Sequence, residues 1–194
     1  MPWIEYPGDV PGRPYAQIDL ENSQVEGSDL QSVEIIPEMG KAVTYLLPNH
    51  DVSSIQDLLV LPNSQSCFLV RGAAKTLFEK LPDGEVAFVD AVIKARDGDF
   101  LEFKAVKPMI EKACTDLEAS DIKWLVPGRF YTAWNSSVYY TEGCMGSCHV
   151  VREKFSKKLV VSDTLRQSLL EVASEYVDLI KPEKYMNLIR HPEF

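Results

Sequence analysis

The sequence is short of positive charge: 20 Lys and Arg stand against 29 Asp and Glu, a formal net charge of −9 over 194 residues. That balance disfavours non-specific binding to nucleic acid or to an anionic membrane, and it leaves a basic protein as the attractive partner. Cysteine is sparse as well. Cys67, Cys114, Cys144 and Cys148 are too few for a disulfide scaffold of this size, which fits a reducing cytoplasm. No apolar run is long enough to cross a bilayer. Residues 1–15 have neither a positive first region nor a sustained apolar stretch, so no secretory signal is expected. A glycine-rich phosphate loop, a His-Glu-x-x-His pair and a nucleophile elbow are all lacking, which removes the commonest signatures of catalysis. The expectation is a cytoplasmic protein without a cofactor, whose 45% apolar residues are enough to build a core.

What is present is a complete local folding instruction between Lys158 and Tyr185. Leu159, Val160 and Val161 form a short β-branched run that reads as a buried strand. Ser162 or Asp163 offers a side-chain oxygen to the free N–H groups of a following helix. Leu165, Leu169 and Val172 then recur at helical spacing, with Leu170 widening the stripe and Arg166, Gln167 and Glu171 opposite. Val177, Leu179 and Ile180 resume a strand, which Pro182 ends. The same instruction occurs earlier, in one register and without a gap. Phe68-Leu69-Val70 align with Leu159-Val160-Val161, Ala74, Phe78 and Leu81 with Leu165, Leu169 and Val172, and Val86, Phe88 and Val89 with Val177, Leu179 and Ile180. Two strands and a helix repeating together argue that the fold uses this unit twice.

The remaining chain is less regular. Pro-Gly turns mark an N-terminal arm whose Trp3, Tyr6 and Tyr15 are expected to pack on the body. Strands are expected near Val33–Ile36 and over Ala42–Leu47. Asp97-Gly98 separates Ile93–Arg96 from an alternating Phe100–Val106, the pattern of a hairpin. Met109–Leu117 reads as helix-like or as a mixed connection, and Asp121–Val126 as a strand or short helix. The whole predicts an α+β fold, its mixed sheets built from two similar strand-helix-strand units plus a β-hairpin. Residues 1–54 form an irregular region with short strands packed on a body of 55–194.

Cys144, Cys148 and His149 are the one cluster of metal-ligand types. Thiolate and imidazole suit zinc, but the three-residue gap between the cysteines is not the usual two-residue knuckle, and no second Cys/His pair completes four ligands. A cysteine nucleophile with His149 as base is the enzymatic alternative, weakened because neighbouring residues of a strand point to opposite faces. Ser162-Asp163 and the Asp97-Gly98-Asp99 turn are explained by capping and turn chemistry alone.

The order of these elements carries a resemblance. Asp57-Leu-Leu-Val-Leu-Pro62, Phe68-Leu-Val-Arg71 with its helix, Val86-Ala-Phe-Val89, the Arg96-Asp-Gly98 hairpin, Asp116-Leu-Glu-Ala-Ser120, and Leu159-Val-Val-Ser-Asp-Thr-Leu-Arg166 followed by Val177-Asp-Leu-Ile180 together resemble a family of bacterial immunity proteins from polymorphic toxin systems, first catalogued as a domain of unknown function. The resemblance covers roughly residues 55–186 and leaves the N-terminal arm and the Cys144–His149 loop unmatched. It implies an inhibitor rather than an enzyme, binding a cognate toxin domain directly; the net charge makes a basic partner the expectation and, with the cysteine spacing, leaves no nucleic acid, membrane or metal expected. A secretion-system adaptor is the other non-catalytic reading. The expected anchors for the toxin are Trp134, Tyr139 and Tyr140 with Glu142 as a charged neighbour. Taken singly, each of these aromatics is also explained by packing in a core.

Overall fold

The computed structural model describes residues 2–5, 12–33, 42–65, 67–174, 177 and 179–182. In chain order these form β1 (Trp3–Glu5), β2 (Gln17–Ile18), α1 (Gly27–Gln31), β3 (Ala42–Leu47), a 3-10 turn (Val52–Ser54), β4 (Val60–Leu61), β5 (Leu69–Val70) and α2 (Gly72–Glu79). Then come β6 (Val86–Ala95), β7 (Gly98–Phe100), β8 (Lys104–Pro108), β9 (Glu111–Lys112), β10 (Asp121–Val126), β11 (Phe130–Ser137), β12 (Val150–Glu153), β13 (Leu159–Val161), α3 (Asp163–Ala173) and β14 (Leu179–Ile180). The larger sheet runs β2-β3-β6-β8-β5-β4 with β7 on β6, the smaller runs β14-β1-β13-β12-β9, and β10 pairs with β11 alone. The fold is α+β, as the sequence predicts.

The repeated instruction produces two alike units. In the first, β5 and β6 are both antiparallel to β8, which lies between them. In the second, β13 and β14 are both antiparallel to β1, which again lies between. Each unit is therefore a parallel strand-helix-strand crossover with one antiparallel strand inserted. The inserted strand comes from downstream in one case and from the N-terminus in the other. Ser162 caps α3 as expected, its Oγ accepting from Leu165 N–H at 3.2 Å. The apolar stripes of α2 and α3 meet in one cluster, where Phe68, Val70, Ala74 and Phe78 pack with Leu159, Val161, Leu165 and Leu169.

Because successive strand residues face opposite ways, the two sheets feed further clusters on their other faces. Val43, Tyr45, Leu47, Leu61 and Leu69 pack with Leu30 of α1. Val151 and Val160 pack with Ile4, Cys114 and Met145. The N-terminal residues thus supply strands to both large sheets, and Trp3 is held on α3: its indole N–H donates to Asp163 at 2.9 Å while the Arg166 guanidinium lies 3.8 Å from its ring centre.

Charged groups tie these layers together from inside. Glu85 accepts from His149 N–H at 2.8 Å and Val150 N–H at 3.1 Å, joining the approach to β6 to the start of β12. Lys107 of β8 donates to the carbonyls of Asp29 and Ser32, and Arg152 of β12 donates to that of Leu30 at 2.9 Å. One cation from each sheet therefore grips the end of α1, where helix carbonyls lack intrahelical partners.

Some elements depart from expectation. The hairpin forms, but Ala95 faces Gly98, so its turn residues are Arg96 and Asp97 rather than Asp97-Gly98. Arg96 bonds Asp51 twice, at 2.8 and 2.6 Å, and Asp97 accepts from Val52 N–H at 2.7 Å, which fixes the turn from outside. Met109–Leu117 holds β9 and no helix, because Glu111 and Lys112 pair in parallel with Arg152 and Glu153. Of the strand expected near Val33–Ile36, Val33 lies in a bend and residues 34–36 are outside those described.

Candidate partner-binding surface

β10 and β11 form a ribbon that hydrogen-bonds to neither larger sheet. Its turn runs through Pro127-Gly128, where φ of +69° at Gly128 suits a residue without a Cβ. The inward face is aromatic. Trp124 meets Tyr131 and Phe155 edge-on, with ring centres 5.9 and 5.6 Å apart. Tyr131 is buried, its hydroxyl 2.7 Å from Thr115 Oγ1, and burial beside the Glu153 carboxylate pushes its pKa up to about 12. Glu153 is itself buried and accepts from Phe155 N–H at 2.8 Å and from Ser156. The ribbon is thus rooted on a packed, hydrogen-bonded base.

Exposed apolar side chains stand at both ends of the ribbon. Leu125 is 56% and Val126 48% exposed near the tip, while Leu117 and Tyr139 are 46% and 44% exposed at the root. Leu117 belongs to a turn fastened to the chain after β11: Asp116 N–H donates to the Tyr139 carbonyl at 2.9 Å, and Tyr139 N–H donates to Ser120 Oγ at 2.9 Å. Glu118, Asp121 and Glu142 are exposed around this root, with Lys123 and Arg129 farther along.

The expected anchors are distributed across this region. Tyr139 is exposed at the root, and Glu142 is exposed beyond it. Tyr140 pairs with Thr115 and is half-buried; its hydroxyl end is enclosed, and that burial pushes its pKa well up. Trp134 lies in β11, and its side chain is outside the described residues. Leu117, Leu125 and Val126 were not among the expected anchors. The signal for two of them is the Leu-Val pair directly before Pro-Gly, which places apolar residues at a ribbon tip.

Beside the ribbon root, Tyr140, Glu142, Cys144, Met145, Cys148 and Asp163 help to line a cavity of about 480 Å³. The cysteines sit in a turn rather than a strand, and His149 Nδ1 is 3.0 Å from Ser162 Oγ, engaged with the α3 cap. Among the described residues no group of three or more His, Cys, Asp or Glu side chains is placed to hold a metal ion, and no helix is long and apolar enough to cross a membrane. The model of the immunity protein family (Imm11) matches residues 47–184. The chain belongs to the Imm11 immunity protein family. The matched segment contains the ribbon, the cysteine turn and both strand-helix-strand units, whereas β1, β2, α1 and all of β3 but Leu47 precede it. Comparison with curated proteins finds no match. Membership in Imm11 implies a toxin as the partner.

Proposed function

We propose that this Imm11 protein neutralises a cognate toxin domain by binding it directly, without chemistry of its own, through the tip of the β10–β11 ribbon and its root. The observation that carries this reading is the exposure of Leu125 and Val126 at the tip and of Leu117 and Tyr139 at the root of a ribbon that packs through Trp124 and the buried Tyr131. Large apolar side chains presented on a packed support are what an interface core needs. The acidic residues at the root and the net charge of −9 favour a basic partner and speed its encounter. Tyr139, Tyr140, Trp134 and Glu142 belong to the same contact, with Tyr140 acting from beneath the surface.

The test is toxin rescue in cells that express the cognate toxin domain, read together with the dissociation constant of the purified pair. Leu125→Lys combined with Val126→Lys is expected to abolish rescue and weaken binding by about 30-fold or more, as loss of about 2 kcal/mol implies. The unfolding midpoint should stay unchanged. Full rescue by this variant at wild-type affinity overturns the assigned surface. Loss of rescue in Cys148→Ala with binding intact would instead favour an enzyme built on the cysteine loop.

A further inference from the structure

Cys114 and Cys144 come from separate segments of the chain and pack in one apolar cluster beside the cavity that Cys144 lines. Cys114 is wholly buried, whereas Cys144 is half-buried and lines the cavity, whose rim residues Glu142, Gly143 and Gly146 are exposed. The backbone holds the two together. Thr141 N–H donates to the Cys114 carbonyl at 2.8 Å, Cys144 N–H donates to the Thr141 carbonyl at 3.2 Å, and Cys144 packs on the cluster that contains Cys114. Gly143 and Gly146 flank the Cys144 turn with φ of +71° and +61°, and a Cβ on either would meet nothing, so the turn has room to adjust. Hydrogen bonding from the Cys114 thiol holds the Cys144 thiol below its ordinary pKa. That same contact, with burial, pushes the Cys114 thiol up.

We infer that Cys144 is a site of attack on hydroperoxides and that Cys114 resolves the product into a reversible Cys114–Cys144 disulfide. The arrangement separates the roles. The open, more acidic thiol reaches the oxidant, and the buried one reaches only its neighbour. In the first step the Cys144 sulfur attacks one peroxide oxygen, the O–O bond breaks, and a sulfenic acid and one water form, the thiol proton leaving with the water. In the second, the Cys114 sulfur attacks the Cys144 sulfur, the S–O bond breaks, and the hydroxyl departs as water with the Cys114 proton. Two thiols lose two electrons in all, and one hydrogen peroxide becomes two waters. Cys148 lines the same cavity and is the competing resolving thiol.

The full chain is treated with one equivalent of hydrogen peroxide, its remaining thiols are blocked, and the unreduced tryptic peptides are fragmented by mass spectrometry. Cys114 lies in peptide 113–123 and both other candidates in peptide 130–152, so the fragments place the bond. Free thiols should fall from the four of the sequence to two, with Cys114 linked to Cys144, and dithiothreitol should restore all four. Cys144→Ser, at a half-exposed position, should slow thiol loss by at least about tenfold. Cys148→Ser should leave the linkage intact. A Cys144–Cys148 bond, four surviving thiols, or oxidation of Cys144→Ser at the wild-type rate each overturns the inference.

Discussion

Lys107 and Arg152 are wholly buried and of like charge, yet both point at the same short helix end. The carbonyls of Asp29, Leu30 and Ser32 justify them, since a buried carbonyl without a donor is costly. Burial, with the positive charge of Arg152 nearby, brings Lys107 down from 10.5 to about 8. Below pH 8 it is protonated whether folded or unfolded, and its contribution is constant. Between about 8 and 10.5 the unfolded chain holds a proton that the folded chain has lost, so stability attributable to Lys107 rises with pH in that window. Urea unfolding of wild type and Lys107→Met between pH 7 and 10.5 should therefore diverge, with wild type gaining relative to the variant as pH rises. Parallel curves would contradict the assignment. Nothing in Lys104-Ala-Val-Lys-Pro108 distinguishes this lysine from Lys104, which pairs with Asp90 in the open. Alternation places Lys107 on a side of the strand, but only the arrival of α1 from far upstream makes that side an interior.

Among the elements, the strand-helix-strand units are legible in the sequence because each is local: a β-branched run, a cap, a stripe and a second run suffice. Ser162 illustrates the scale of one such signal. Replacing it with alanine removes the acceptor for Leu165 N–H and should cost about 1 kcal/mol, measured as a lowered urea midpoint at unchanged slope. The inserted strands are not legible, because β1 and β8 owe their places to partners rather than to their own pattern. β9 makes the same point. Met109–Leu117 carries helix formers, but pairing with β12 and burial of Cys114 and Thr115 override that weak preference. The ribbon is intermediate: Asp121–Val126 reads as a strand or a short helix and no strand is expected over Phe130–Ser137, whose place depends on pairing with β10 and on the Tyr131 root.

For the molecule as a whole, charge and connectivity matter more than any residue. If the negative field steers a basic toxin, raising salt from 50 to 500 mM should slow association by about tenfold while dissociation changes little, as stopped-flow kinetics would reveal. A salt-independent association rate would remove charge steering from the account. The family-matched segment is also not the whole folding unit. A fragment of residues 47–184 lacks β1, β2, α1 and nearly all of β3, so the β13–β14 gap is empty, Lys107 loses the carbonyls of Asp29 and Ser32, and Arg152 loses that of Leu30. No cooperative thermal transition is expected from it, and a sharp one would show that the N-terminal region is dispensable.

The position of β1 also sets a timetable. Trp3 and Ile4 are made long before their partners Val160, Val161 and Ile180. Until β13 is made the smaller sheet has no middle strand, and β1 has no partner. Closure of that sheet then waits for β13 and β14, and it is slow because its contacts are widely separated in sequence. Ribosome-stalled chains ending before residue 179 should remain open to protease at β13 after the larger sheet has become resistant.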